Sequence, residues 1–474
     1  MWYRFFFSVF PLMLMWSLVN PMFAAPDEPW HIIRAQAAVR GQFGNITDSD
    51  GLPMHAVECM AFQAEVTADC MELEWTEGTV KVNTNVDTYP PLFHLLIGLP
   101  SLLFQGLTGA YIMRAWHAFL CSGLLAAGAV FFYQHFKSKF VIAGWALSIT
   151  PAVLFLGGSV NSSGLASALA ILLWIISLSI FSNSGEIQRK NITLLAVVVV
   201  VFLLVRRDSV LWFATILFCL IAINGLKLKR INARIHSYYL IAGALVSSAA
   251  VLITAVWLWP TYSGWLSADL SDSSHLTDGL SNSYLYLTQI IGWFGWMDTP
   301  LPEQGRVLSA VVLVPFIVLG FLIGEKGYKR AIFTAAGLTV LIPILIAEVR
   351  YPYFMGRYSL PLAVGVFLLS CLPFVGSRDE IGEKIYRYFP GALMIGWAFI
   401  HIYAFATNLR RNAVGLSGSW LDLGSASWHP PMFSNAFSLV LFLIAVACSI
   451  CLIRPFFSSE FKDQDKKSLS RQAD

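Results

Sequence analysis

Residues Pro26-Asp27-Glu28-Pro29-Trp30-His31, continuing as Ile32-Ile33-Arg34, decide how the rest of the chain is read. They stand directly behind the first hydrophobic segment, where the chain leaves the membrane. Pro29 suits the first turn of a helix, with Asp27 or Glu28 as its cap. Gly41 is a suitable stop. Trp30, Ile33 and Ala37 fall at i, i+3 and i+7, which predicts a short helix on the membrane surface with one face buried. The helix dipole favours the charged form of both acids at such an N-terminus. The plain alternative is a helix cap in a loop, with no chemistry attached.

The chain has 474 residues, 57% hydrophobic and 12% charged, where a soluble domain carries roughly 25% charged residues. Apolar runs of bilayer-crossing length recur throughout. They predict spans at about 4–23, 111–134, 139–157, 163–182, 191–205, 208–224, 238–259, 306–324, 331–347, 357–375, 389–408 and 431–453. The expected fold is therefore an all-α polytopic membrane protein of about twelve transmembrane helices. Residues 1–457 form one transmembrane domain, and 458–474 a polar cytoplasmic tail. Met1 to Val19 resembles a secretion signal. Its apolar part is longer than a signal core and the acidic stretch follows at once, so it reads as an uncleaved span.

Basic residues set the orientation. Lys137 and Lys139, Arg189 and Lys190, Lys227 to Arg234, Lys326 to Arg330, and Arg378 to Arg387 fall on one side with the tail. That side reads as the cytoplasm, with both termini in it, in a bacterial inner membrane. The acidic loop 24–110 and the second loop 260–305 then face the periplasm. This topology requires Pro91 to Leu107 to be a half-helix or interfacial helix rather than a span. Cys59 and Cys70 share the acidic loop, and an oxidising compartment predicts a disulfide between them. Cys448 and Cys451 have C-x-x-C spacing inside an apolar helix and read as packing residues.

Polar clusters converge on the periplasmic side of this topology. Asp27, Glu28, His31 and Arg34 form the first, and Asp87-Thr88-Tyr89-Pro90-Pro91 with His94 the second. Ser159-Val160-Asn161-Ser162-Ser163 and Arg206-Arg207-Asp208 each break an apolar run. Trp293 to Pro302 includes Trp296 and Asp298, and Glu348-Val349-Arg350 is followed by Gly356-Arg357-Tyr358. Charges at membrane depth are costly and mark function, whereas those at a boundary can snorkel. Arg206, Arg207, Arg350 and Arg357 are the candidate anion-binding residues.

Taken in order, Pro26-Asp27-Glu28-Pro29 with His31 and Arg34, Tyr89-Pro90-Pro91, Ser159-Val160-Asn161, Gly295-Trp296-Met297-Asp298-Thr299 with Leu301-Pro302, and Gly356-Arg357-Tyr358 with Pro361 resemble a bacterial family. It is the one catalogued as domain-of-unknown-function family 2142. That family looks like a branch of the GT-C superfamily, polytopic glycosyltransferases that use polyprenyl-phosphate-linked sugars. The resemblance implies a GT-C-like fold and a catalytic acid just after the first span, at Asp27 or Glu28. It also implies a lipid-linked sugar donor and a glycan or glycolipid acceptor. Asn161-Ser162-Ser163 departs from the pattern, which has an acid after the asparagine.

The residues suit that chemistry. Transfer needs a carboxylate to deprotonate the acceptor hydroxyl and cations to stabilise the departing phosphate. Arginine binds phosphate bidentately and stays charged. Trp296 and Tyr358 could stack on sugar or lipid, or form an interfacial belt. Nothing resembles a glycine loop for nucleotides, and no nucleic-acid partner is expected. Asp48-Ser49-Asp50 reads as a loop turn. No cofactor is expected, although His31 beside Asp27 leaves a divalent metal open. Two other classes compete: a transporter or flippase of lipid-linked saccharides, and a non-catalytic assembly factor. A transporter would hold its charges near the bilayer midplane, whereas here they cluster at one surface.

Overall fold

The computed structural model describes residues 1–44, 46–49, 51–75, 80–84, 86–182, 188–224, 248, 251–252, 280–349 and 354–457. The span expected at 238–259, Arg350 and the tail lie outside the described residues, apart from isolated positions in that span.

The chain is an all-α polytopic membrane protein. Among the described residues eight helices are long and apolar enough to cross a membrane, or nine if a bent pair counts as one span. The expected count of about twelve is not reached there. Helices Arg189–Val205 and Ser209–Asn224 have only 17 and 16 residues. At 1.5 Å per residue these reach about 25 Å, short of the roughly 30 Å hydrocarbon core. Leu92–Gly98 and the 3-10 turn Leu99–Leu102 are shorter still.

Helix α1 (Trp2–Val19) leads into α2 (Glu28–Ala38). Two short antiparallel ribbons interrupt the helical pattern: Ile46–Ser49 with Val80–Asn83, and Trp293–Phe294 with Thr299–Pro300. The bundle is centred on Ser162–Ser182 and Leu360–Cys371, whose apolar side chains are buried nearly all round, as expected of central helices. With lipid as solvent, such helices are held by close packing rather than by exclusion from water. Trp174 illustrates this. Its Nε1 donates to the Pro361 carbonyl at 3.0 Å, and a Cβ on Gly365 would come within 2.2 Å of its ring.

The bent pair is Lys139–Ser148 with Pro151–Gly157, at 62°. Thr150 precedes a proline, which drives it into the extended region, at ψ 163°. The backbone freed by the break is used again: Ile149 O accepts from His401 Nε2 at 3.0 Å.

Helix α2 departs from the expected surface helix. Every residue from His31 to Ala38 is buried, and only Trp30 is partly open. It is covered by Leu92–Gly98 and the Ile46–Ser49 strand. Gly41 follows the helix end at φ 78°, the left-handed conformation that glycine adopts without cost.

Candidate active site

Glu28 and Asp27 are adjacent in sequence and opposite in environment. The Glu28 side chain is fully buried. Its Oε1 accepts from Arg114 Nε at 2.7 Å and from Val160 N at 2.9 Å, and its Oε2 from Arg114 Nη2 at 2.5 Å. Arg114 also donates to the Ser17, Asn20 and Pro21 carbonyls. This clamp ties the end of α1 and the start of α2 to the Gly106–Phe136 helix. The expected helix-capping role for Glu28 is not what the structure has, because α2 carries no side-chain cap bond. A buried guanidinium with two matched donors outcompetes a single backbone amide for the carboxylate.

Asp27 instead projects from a left-handed residue, φ 62°. Its side chain remains 39% exposed. Non-glycine residues rarely adopt this conformation and do so at functional sites when the surroundings impose it. Here the surroundings are the Glu28 clamp on one side and Asn161 on the other. Asn161 Nδ2 donates to the Pro26 carbonyl at 2.7 Å, and its Oδ1 accepts from Ser163 N at 2.9 Å.

Facing Asp27 is Arg357, which donates from Nη2 to Asp27 Oδ2 at 2.7 Å. Its guanidinium also meets the Tyr358 side chain, by a hydrogen bond and with the ring centre at 5.2 Å, while Nη1 approaches the Met297 sulfur at 4.0 Å and Nε is buried with no acceptor among the described residues. Gly356 permits this placement. Its Cβ would stand 2.1 Å from the Tyr286 carbonyl oxygen, so the close approach is to the protein's own backbone. Its amide donates to Gln289 Oε1.

Arg206 is committed. Nε and Nη2 fork onto Asp208 at 2.7 and 3.0 Å, and Nη1 reaches the Ser162 and Ser163 hydroxyls. Its guanidinium lies 5.1 Å from the Tyr358 ring and 5.9 Å from that of Tyr89, and Arg207 lies 5.3 Å from Tyr89. Three guanidiniums and two tyrosine rings thus surround two carboxylates, Asp27 and Asp208. Burial pushes the Tyr89 hydroxyl up to about 12, against the pull of Arg206 and Arg207, so it remains a proton donor at neutral pH.

The other expected site residues spend their polar atoms on the protein. Arg34 holds the Phe43 and Gly44 carbonyls at 2.7 and 2.6 Å. His31 Nδ1 meets His94 Nε2 at 3.0 Å. Burial, then the nearby Arg206 and Arg357, holds His31 well below the ordinary histidine value, and burial with His31 does the same to His94. Both imidazoles are neutral, and one donates to the other according to tautomer. Trp296 Nε1 donates to the Phe23 carbonyl at 2.9 Å, and Asp298 pairs with Arg411 Nη2 at 2.6 Å. Cys59 and Cys70 are disulfide-bonded, Cα–Cα 6.1 Å. Among the described residues no three His, Cys, Asp or Glu side chains gather as a metal site.

Arg114 and Arg411 were missed by the sequence reading. Arg114 had a signal, as a lone arginine within an apolar run expected to span, where a buried charge needs a partner. Arg411 had none beyond belonging to a basic pair at a loop boundary.

The sequence model of one family of membrane proteins, described as Predicted membrane protein (DUF2142), matches residues 10–366. The chain belongs to this family. The match takes in both Asp27 and Arg357. No curated protein sequence matches the chain. In fold, the DUF2142 chain is similar to the crystal structure of ArnT from Cupriavidus metallidurans in the apo state. The TM-score is 0.51 at 12% identity, over 97% of this chain and 73% of ArnT. At this identity the likeness is one of fold alone.

Proposed function

We propose that this chain is a GT-C-type glycosyltransferase. It moves a sugar from a polyprenyl-phosphate-linked donor to a hydroxyl of a cell-surface glycan or glycolipid on the extracytoplasmic side. The observation that carries the reading is the half-open Asp27 carboxylate. A buried clamp fixes it in a left-handed turn, and it faces the Arg357 guanidinium, whose Nε has no acceptor among the described residues.

In the proposed step Asp27 takes the proton of the acceptor hydroxyl as its oxygen bonds to the sugar's anomeric carbon. The bond from that carbon to the phosphate oxygen breaks, and its electron pair leaves with the polyprenyl phosphate. Arg357 neutralises the developing charge. Arg206 and Arg207 add positive potential, and Tyr89 and Tyr358 wall the site. Glu28, Arg114 and Asn161 hold the turn.

The test is sugar transfer in vesicles supplied with polyprenyl-phosphate sugars and cell-envelope acceptors. Asp27→Asn removes the base without changing shape, and asparagine tolerates the left-handed region. It is expected to abolish transfer while the protein remains folded and monodisperse. Undiminished transfer in this variant would overturn the assignment.

A further inference from the structure

The Asp27–Arg357 pair raises a chemical conflict within the proposed site. A carboxylate bound to a guanidinium is a poor general base, and a guanidinium bound to a carboxylate is a poor phosphate ligand. Both partners are nonetheless underused. Arg357 commits one nitrogen to Asp27 Oδ2; its remaining contacts are the Tyr358 side chain and the Met297 sulfur, and its Nε is buried with no acceptor among the described residues. Arg206, by contrast, fills its fork with Asp208 and its third nitrogen with two hydroxyls. A new oxyanion arriving here can displace Asp27 from Arg357 but gains little by competing for Arg206.

We infer that Asp27 Oδ2 occupies the seat of a phosphate oxygen on Arg357, so that phosphate binding and release of the Asp27 carboxylate are one exchange. This rests on the proposed function and adds the atom at which the ligand binds and the order of events. Without ligand the base is held by its own cation. A phosphate oxyanion, with more acceptor oxygens than one carboxylate edge, takes Nη2 and supplies the acceptor that Nε lacks. Asp27, held at the backbone by the Glu28–Arg114 clamp and the Asn161–Pro26 bond, stays in place with its oxygens turned free. The exchange would keep the base inactive until a donor is seated.

The exchange makes an unusual prediction: removing the catalytic carboxylate strengthens ligand binding. Purified protein in detergent is titrated with a polyprenyl phosphate and, separately, with inorganic phosphate. Tryptophan fluorescence and calorimetry report binding, and neither requires turnover. Asp27→Asn, which removes a competing charge, is expected to tighten polyprenyl phosphate binding about tenfold. Arg357→Ala weakens binding, and Asp27→Asn added to Arg357→Ala changes nothing further, because the competition needs both partners. Folding of each variant is checked by monodispersity. Asp27→Asn binding equal to or weaker than wild type, with Arg357→Ala still weakened, would overturn the exchange and leave the anion-site reading standing. Failure of wild type and all variants to bind polyprenyl phosphate would overturn that reading itself. The same pattern for inorganic phosphate alone supports the exchange and removes the lipid donor.

Discussion

The carboxylate of Glu28 receives both Nε and Nη2 of Arg114, 86 positions along the chain, and neither side chain has exposed surface. The pair carries three further carbonyl contacts from Arg114 and one amide contact to Glu28. It therefore anchors the turn on which Asp27 stands.

Breaking this pair strands a buried charge, at a cost of about 3–5 kcal/mol. Arg114→Ala is expected to lose most folded protein after mild heating, judged by size-exclusion chromatography in detergent. Glu28→Gln should fall in the same direction. Asp27→Asn, on a half-open pair, should shift the midpoint by less than about 1 kcal/mol equivalent. Equal thermal losses in the Asp27 and Glu28 variants would contradict the division of roles.

Acid should destabilise the fold through His31 and His94. Both have folded-state values lowered below the ordinary 6.5. The unfolded chain therefore takes up protons first as the pH drops. Stability from these groups is fully present above about 6.5 and declines as the pH falls below it. Thermal midpoints between pH 8 and 5 check this. His31→Gln with His94→Gln should flatten the acid limb, and an unchanged limb would assign it to other groups.

Arg411 holds the disulfide loop down. It donates to the Met60, Gln63 and Val66 carbonyls at 2.8, 3.1 and 3.0 Å, and pairs with Asp298. Arg411→Ala is expected to speed hydrogen exchange across residues 60–67 and to cost about 3–5 kcal/mol, since Asp298 is left buried and unpaired. Arg411→Lys restores the charge but not the fork, and should recover only part of the protection. Unaltered exchange in Arg411→Ala would show that the loop is held by the disulfide alone.

Gly356→Ala should displace the Arg357 turn, because its Cβ would lie 2.1 Å from the Tyr286 oxygen. The expected outcome is a lower thermal midpoint together with weaker phosphate binding. Gly337→Ala is the control. It lies inside the Lys326–Val349 helix with nothing within 4 Å of a Cβ, so alanine there should be neutral or stabilising by about 0.5–1 kcal/mol. A milder effect at Gly356 than at Gly337 would argue against the close approach.

The span pattern was legible because a bilayer imposes its demands locally. Each helix satisfies its own backbone and must be apolar over its own length, so Ser162–Ser182 and Asn435–Ile453 stand out as runs of sequence. The Pro26-Asp27-Glu28-Pro29 stretch was equally visible, as were the arginine turns that assemble around it. The Arg206–Asp208 pair is two residues apart and could be anticipated from proximity alone.

Which of two neighbouring carboxylates stays open could not be read that way. It depends on Arg114 reaching Glu28 from 86 residues away, and on Arg357 reaching Asp27 from 330 residues away. Sequence specifies that charges exist and that burying them requires partners. The choice of partner follows from which helices pack together, a property of the whole bundle that no local pattern contains. For the same reason α2 seemed a surface helix with one apolar face, until the Leu92–Gly98 helix and the Ile46–Ser49 strand covered the other side.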